Sequence, residues 1–139
     1  MRQALHLLHI QTKAKGLVEI GGKISLWLRE QNISTGLLTI FCRHTSASLL
    51  IQENADPDVQ TDLESFFEAL APEDSKRYVH LTEGPDDMPA HIRAALSQTQ
   101  LAIPVASGRM VLGTWQGVYL FEHRRAPHRR EIVLHLLGD

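Results

Sequence analysis

Residues 78–96, YVHLTEGPDDMPAHIRAAL, gather two histidines, His80 and His91, and three acids, Glu83, Asp86 and Asp87, around a Gly-Pro turn and a helix start. A hydrophobic core does not use that mixture, and an ordinary surface loop has no need of it. Imidazoles among carboxylates suit divalent metal binding or proton transfer. His91 falls in the first turn of a helix starting near Pro89. There the positive end of the helix dipole disfavours imidazolium and keeps the ring in its neutral, ligating form. Asp87 precedes it by four residues and is placed to orient the ring from behind. The separation of eleven between His80 and His91 does not put both on one helix face, so folding has to bring them together. His80 is expected on a strand or at its end. With His44 as a third nitrogen the set matches an open zinc site; the bland alternative is a pair of structural histidines.

Two further constellations carry polar groups. His44, Thr45, Ser46 and Ser48 follow directly on the apolar run LLTIFC, so a buried strand would hold them rigidly at a cleft. One imidazole and three hydroxyls there suit anion binding or the orientation of a nucleophile, though Ser and Thr also serve as plain turn residues. Glu53, Asn54, Asp56 and Asp58 come soon after. In residues 113–117, Gly113 and Gly117 allow close backbone approach, Trp115 offers a stacking face and Gln116 a hydrogen-bonding edge. Glu122, His123 and Arg124 end the same segment. The bland reading is a core tryptophan beside bulge glycines.

These groups need elements to position them. Residues 3–12 alternate loosely and read as a strand. Residues 18–29 read as a helix, with Ile20, Ile24, Trp27 and Leu28 on one stripe and Gly21-Gly22 weakening its start. Residues 37–42 and 47–52 read as strands around the His44 motif. Asp56 as N-cap and Pro57 at the first helical position open a clear helix. Val59, Leu63, Phe66, Phe67 and Leu70 form its apolar stripe, and Ala71-Pro72 stops it. Strands are expected at 101–105, 109–112, 115–124 and 131–137, with Ile132, Leu134 and Leu136 aligned in the last. Many short strands with two or three helices give an α+β fold: a folded, sandwich-like antiparallel sheet in one domain spanning 1–139.

Composition narrows the function. The chain has 139 residues, 43% hydrophobic and 22% charged, values ordinary for a soluble globular protein. A net charge of −2 gives no basic field for nucleic acid. The local cluster Arg124, Arg125, Arg129 and Arg130 suits gripping a phosphate or carboxylate, or else is a solvated hairpin turn. The single cysteine, Cys42, excludes an intrachain disulfide and reads as a buried, inert thiol. No apolar run reaches membrane-spanning length and the N-terminus does not read as a signal peptide, so the expected location is cytoplasmic.

The segments HTSASLLIQENADPD (44–58), YVHLTEGPDDMPAHI (78–92), IPVASGRMVLGTWQGVYLFEHR (103–124) and RREIVLHLLG (129–138) closely resemble the YjbQ family, whose members are described as secondary thiamine-phosphate synthases. The resemblance covers nearly the whole chain. It implies a β-rich α+β sandwich, a homotrimer, and a cleft with a bound metal or anion. It places the metal-ligating histidines at His44, His80 and His91, with zinc expected and magnesium an option at Glu53 or Asp58 through the diphosphate. Catalysis falls to His44, Glu53 and Glu122. Substrate binding falls to Thr45, Ser46, Ser48, Trp115, Gln116, His123 and Arg124. The implied reaction joins hydroxymethylpyrimidine diphosphate to thiazole phosphate and releases pyrophosphate. Two other readings stand beside it: a zinc-dependent hydrolase of a small phosphorylated or carboxylated metabolite, with Glu83 or Glu122 moving protons, and a trimeric non-enzymatic binding protein for small molecules. The partner in each case is a small molecule, neither nucleic acid nor membrane.

Overall fold

Alternation of apolar and polar residues in the strands decides the architecture. A computed structural model describes residues 1–139. The chain runs β1 (Arg2–Thr12), β2 (Gly16–Glu19), α1 (Gly21–Gln31), β3 (Gly36–Cys42), β4 (Ala47–Glu53), α2 (Pro57–Leu70), α3 (Asp87–Leu96), β5 (Gln100–Ala106), β6 (Arg109–Met110), β7 (Gln116–Glu122) and β8 (His128–Gly138), with a short 3-10 turn at Ser75–Arg77. A five-stranded sheet has the order β1-β8-β3-β5-β6, and a three-stranded sheet the order β2-β7-β4. Every pairing is antiparallel.

The core of 18 residues lies between the sheets and α1. Leu38 and Ile40 of β3, Leu101 and Ile103 of β5, and Ile132, Leu134 and Leu136 of β8 point inward from the larger sheet, as strict period-two positions must. Leu49, Val118 and Leu120 face them from the smaller sheet, and Ile24 and Leu28 of α1 close one end. Each such side chain contributes about 1.5–3 kcal/mol on burial. Cys42 belongs to this core, and burial pushes its thiol up to about 11, so it is protonated near neutral pH.

The outer face of the larger sheet has no cover. Gln3, Leu137, Leu37 and Pro104 form one cross-strand row, and Leu7, Val133, Phe41 and Gln100 another. Leu5, Leu7, Leu37, Phe41 and Leu137 on this face are all exposed. No helix of the chain is long and apolar enough to cross a membrane.

Expectation and structure differ at several boundaries. Residues 16–19 form β2, so the first helix starts at Gly21 rather than at 18; Ile20 caps it and donates its N–H to Val118 O. The Ile24-Leu28 stripe had absorbed a short strand whose own pattern spans four residues. His80 lies in a loop, not on a strand. Trp115 sits in the turn before β7, and β6 is two residues long. β8 begins at His128, which takes Arg129 and Arg130 out of the expected turn and into the sheet.

Gly36 and Gly138 are cross-strand partners in β3 and β8. A Cβ on Gly138 would stand 2.1 Å from Thr35 O, and one on Gly36 2.3 Å from Leu137 O. Both obstacles are backbone. Gly138→Ala is therefore expected to cost about 1–3 kcal/mol through overpacking. Gly22→Ala in α1 meets nothing within 4 Å and gains helix propensity, up to about 1 kcal/mol. Urea unfolding of the two variants checks the opposite signs.

Candidate metal site

The site starts from where α3 begins. Asp87 is its first residue, so its carboxylate sits at the positive end of the helix, and it is only 1% exposed. His91 is four residues on and therefore on the same face. It lies in the second turn rather than the first. His80 reaches the pair from the preceding loop, where Gly84 holds φ +102 and its N–H donates to Leu81 O. A side chain at that φ would be strained.

His80 Nε2 lies 2.7 Å and His91 Nε2 3.0 Å from one oxygen, Asp87 Oδ2. One ligand atom from each of the three residues falls within 4.8 Å of the others. The second carboxylate oxygen of Asp87 accepts from Arg124 Nη1 at 2.6 Å. Arg124 also donates through Nε to Asp86 Oδ2 at 3.1 Å and through Nη2 to Glu83 O at 3.0 Å. Burial alone would raise the Asp87 pKa. The His80 hydrogen bond and the Arg124 charge are among the contributions that outweigh it and hold the carboxyl below the usual range.

The His91 ring has one further constraint. Its Nδ1 lies 2.8 Å from Thr45 O. A carbonyl oxygen only accepts, so Nδ1 carries the proton and donates it. The Nε2 lone pair then faces a carboxylate oxygen. Two acceptors at 3.0 Å need a cation between them, a proton or a metal ion. A ligating histidine that donates its other N–H to a backbone carbonyl is the arrangement that fixes tautomer and ring orientation at metal centres.

The loop that supplies Thr45 O is held by a buried ion pair. Glu122 and Arg130 are 0% and 4% exposed. Arg130 Nε donates to Glu122 Oε1 at 2.7 Å and Nη2 to Oε2 at 2.5 Å. Thr12 Oγ1 donates to Oε1, and the N–H groups of His123 and Arg124 donate to Oε2. Arg130 Nη2 also donates to Ser46 O and Oγ, at 3.2 and 3.0 Å. Burial alone would raise the Glu122 pKa, but the hydrogen bonds from Arg130 and Thr12 outweigh it and lower it.

Residues 6–139 match the model of the family described as UPF0047 protein YjbQ-like. The chain belongs to this family. It is 56% identical to the UPF0047 protein sll1880 of Synechocystis over 138 residues, covering 99% of this chain and 94% of that one. It is 41% identical to the UPF0047 protein YjbQ of Escherichia coli O157:H7 over 133 residues, covering 95% and 96%. Among solved structures, the conserved hypothetical protein TT1486 of Thermus thermophilus superposes with a TM-score of 0.85 at 36% identity, covering 95% of this chain and 99% of that one.

Within this YjbQ-like fold the residues expected at the site divide. His80 and His91 come together, but around Asp87, which becomes a third ligand candidate instead of an orienting residue. His44 does not join them. Its Nε2 accepts the Glu131 N–H at 2.7 Å, and Nδ1 faces Arg130 Nη1 at 3.4 Å. Burial and then the Arg130 charge lower its pKa, so the ring is neutral. His44 instead lines a hollow of about 310 Å³ with Thr45, His91, Ala94, Ala95 and Thr99.

Ser46, Glu122 and Arg124 are engaged in the networks above, and Ser48 bonds to His123 Nε2 at 2.9 Å. Glu53, Trp115 and Gln116 are elsewhere. Glu53 pairs with Gln116 at one end of the β4–β7 ladder, and Ala47 pairs with Glu122 at the other, six residues or ~20 Å away. Glu53 Oε2 accepts from Ala55 and Asp56 N–H, Gln116 Oε1 accepts from Gly113 N–H, and the Trp115 ring is exposed. Asp58 sits in the first turn of α2, at the same end as Glu53.

Arg93 was missed, and Arg130, expected to grip an anion or lie in a solvated turn, is instead engaged by Glu122; both are buried. Period two run back from Ile132 puts Arg130 on the core face. Arg93 lies between positions 90 and 94 on a face of α3 otherwise built of alanine.

Proposed function

We propose that the chain is a metal-dependent enzyme acting on a small phosphorylated metabolite, with the thiamine-phosphate synthase reaction as its specific activity. The observation that carries this reading is the His91 Nε2 lone pair turned onto Asp87 Oδ2 beside His80 Nε2. Two imidazole nitrogens and one carboxylate oxygen fit zinc, which takes N and O donors and leaves a position open in catalytic sites. His80, Asp87 and His91 would hold it, and the ion would supply positive charge to a leaving diphosphate.

In the proposed reaction the carbon–oxygen bond to diphosphate breaks and a carbon–nitrogen bond to the thiazole forms. Pyrophosphate leaves with the electron pair. The hollow beside His91 suits the substrate, with the Thr45 and Thr99 side chains at its wall. His44 also lines it and, being neutral, adds no charge. Arg124 holds Asp87 in place rather than gripping phosphate, because its guanidinium is engaged by Asp86, Asp87 and Glu83. The two-histidine, one-carboxylate donor set equally favours a second reading, a zinc-dependent hydrolase of a phosphorylated or carboxylated metabolite.

The uncovered apolar face of the larger sheet supports self-association, and a homotrimer is the assembly proposed. The location proposed for the assembly is the cytoplasm.

Metal analysis of the purified protein tests the centre. One zinc per chain is expected, and none in His91→Ala; no metal in either protein overturns it. Formation of thiamine phosphate from the two substrates, lost in His91→Ala, is expected for the synthase. Metal without that activity moves the assignment to the hydrolase.

A further inference from the structure

The β5–β6 hairpin forms one edge of the larger sheet, and the end of α1 lies beside it. Two hollows of about 570 and about 340 Å³ adjoin there, and Arg29, Gly108 and Arg109 line both. Neither shares a residue with the His80, Asp87 and His91 group or with the hollow beside His91. Ser25, Arg29 and Asn32 follow at i, i+4 and i+7, so one face of α1 supplies a wall. Another wall is the two-residue turn Ser107-Gly108, with φ of 51° and 71°, as a tight hairpin turn takes. The Gly108 N–H donates to Ser34 O at 3.0 Å, and the Ser34 and Thr35 N–H groups donate to Asp139 O at 2.8 and 2.9 Å. The backbone of this edge is therefore fixed without a ligand.

The charge of this edge is one-sided. Arg43, Arg77, Arg93, Arg124, Arg125 and Arg130 each pair with a carboxylate. Arg29 and Arg109 pair with none, make no side-chain hydrogen bond, and are both exposed. No aspartate or glutamate lines either hollow. The plainest alternative is that Arg29, in the last turn of α1, serves only to offset the negative end of the helix. That end is already served, because Arg2 donates to Gln31 O and Asn32 O at 2.8 Å each. The side chains of Ser25, Asn32, Ser34 and Ser107 also line the hollows or their rims without a hydrogen-bond partner in the chain. The walls thus hold donors in excess and no competing anion.

That donor set suits an oxyanion. A guanidinium offers N–H groups in a planar fork that matches two oxygens of one phosphate, and hydroxyls add single donors beside it. Two free guanidinium groups on shared walls suit a ligand with more than one negative charge. The two hollows together have the room of a small-molecule site.

We propose that these adjoining hollows bind a small polyvalent phosphate ligand through Arg29 and Arg109, separately from the proposed metal centre. Titration of the full ¹⁵N-labelled chain with inorganic pyrophosphate tests it, at constant ionic strength and with a chelator present so that no metal competes for the probe. The backbone amides of Ser107, Gly108 and Arg109 and the side-chain Nε–H groups of Arg29 and Arg109 are expected to shift saturably. Arg29→Gln and Arg109→Gln should each weaken binding about tenfold, the loss of one charge-assisted contact. Arg29→Lys, which keeps the charge but not the fork, should fall between. His91→Ala should bind as the unaltered chain does. Adenosine diphosphate carries the same group on a nucleoside, and the tighter of the two probes names the free or the esterified form as the occupant. No saturable shift with either probe, an equal shift with sodium chloride alone, unchanged affinity in both glutamine variants, or loss of binding in His91→Ala overturns the proposal.

Discussion

Arg130→Ala is expected to lower folding stability by about 3–5 kcal/mol, because it leaves the Glu122 carboxylate buried without its counter-charge. Thr12 and two backbone N–H groups still solvate Glu122, which sets the effect toward the lower part of that range. The double variant Glu122→Leu/Arg130→Met removes both charges and should recover most of the loss. Urea unfolding of the two singles and the double gives the coupling directly. The pH dependence has a definite sign. The folded pKa of Glu122 is depressed, so its contribution is complete above the unfolded carboxylate value of about 4.3 and is lost as pH falls through the folded value. The double variant should lose this part of the acid sensitivity. Arg130→Ala should also weaken the proposed metal binding at a distance. Arg130 holds Ser46, the adjacent Thr45 carbonyl orients His91, and His91 meets Asp87.

Asp87→Ala should have the second large effect, about 3 kcal/mol of stability together with loss of the proposed metal. The carboxylate joins His80, His91 and Arg124, with its side chain 2% exposed against 16% for Arg124. Removing it leaves a mostly buried guanidinium with one partner fewer and turns two imidazoles toward an empty space. Asp87→Asn separates the two roles. It keeps the volume and one acceptor oxygen, so it should retain more stability than Asp87→Ala while still losing the proposed zinc. Calorimetric unfolding beside metal analysis checks both. Asp87→Ala with unchanged metal content would show that the ion, if held, is held by other residues.

The sequence was most informative where one residue type has one physical use. Asp56 and Pro57 open α2 as expected, with Asp56 Oδ1 accepting the Asp58 N–H at 2.9 Å. The alternation of Ile132, Leu134 and Leu136 named the inward face of β8. His80 and His91 were paired, with His44 as a third member, from their clustering with acids in residues 78–96. Two departures from expectation have separate causes. β2 is four residues long, too short for periodicity to separate from the helix that follows. Glu53, Trp115 and Gln116 were assigned to one site with His44; within one chain the antiparallel ladder sends the two ends of β4 and β7 to opposite edges of the sheet, so they lie apart.

The sequence by itself determined the family, the α+β class, the sandwich core and the two histidines of the site. Local pattern and motif length suffice for these, because burial follows strand period and long motifs rarely arise twice. The tertiary structure decided what each polar residue does. It brought the Asp87 oxygen between His80 and His91, aimed His44 at the Glu131 N–H, joined Glu122 to Arg130 and left Nδ1 of His123 without a partner. Those roles depend on hydrogen-bond geometry between residues up to 87 positions apart. No spacing along the chain encodes which of a ring's two nitrogens meets a donor.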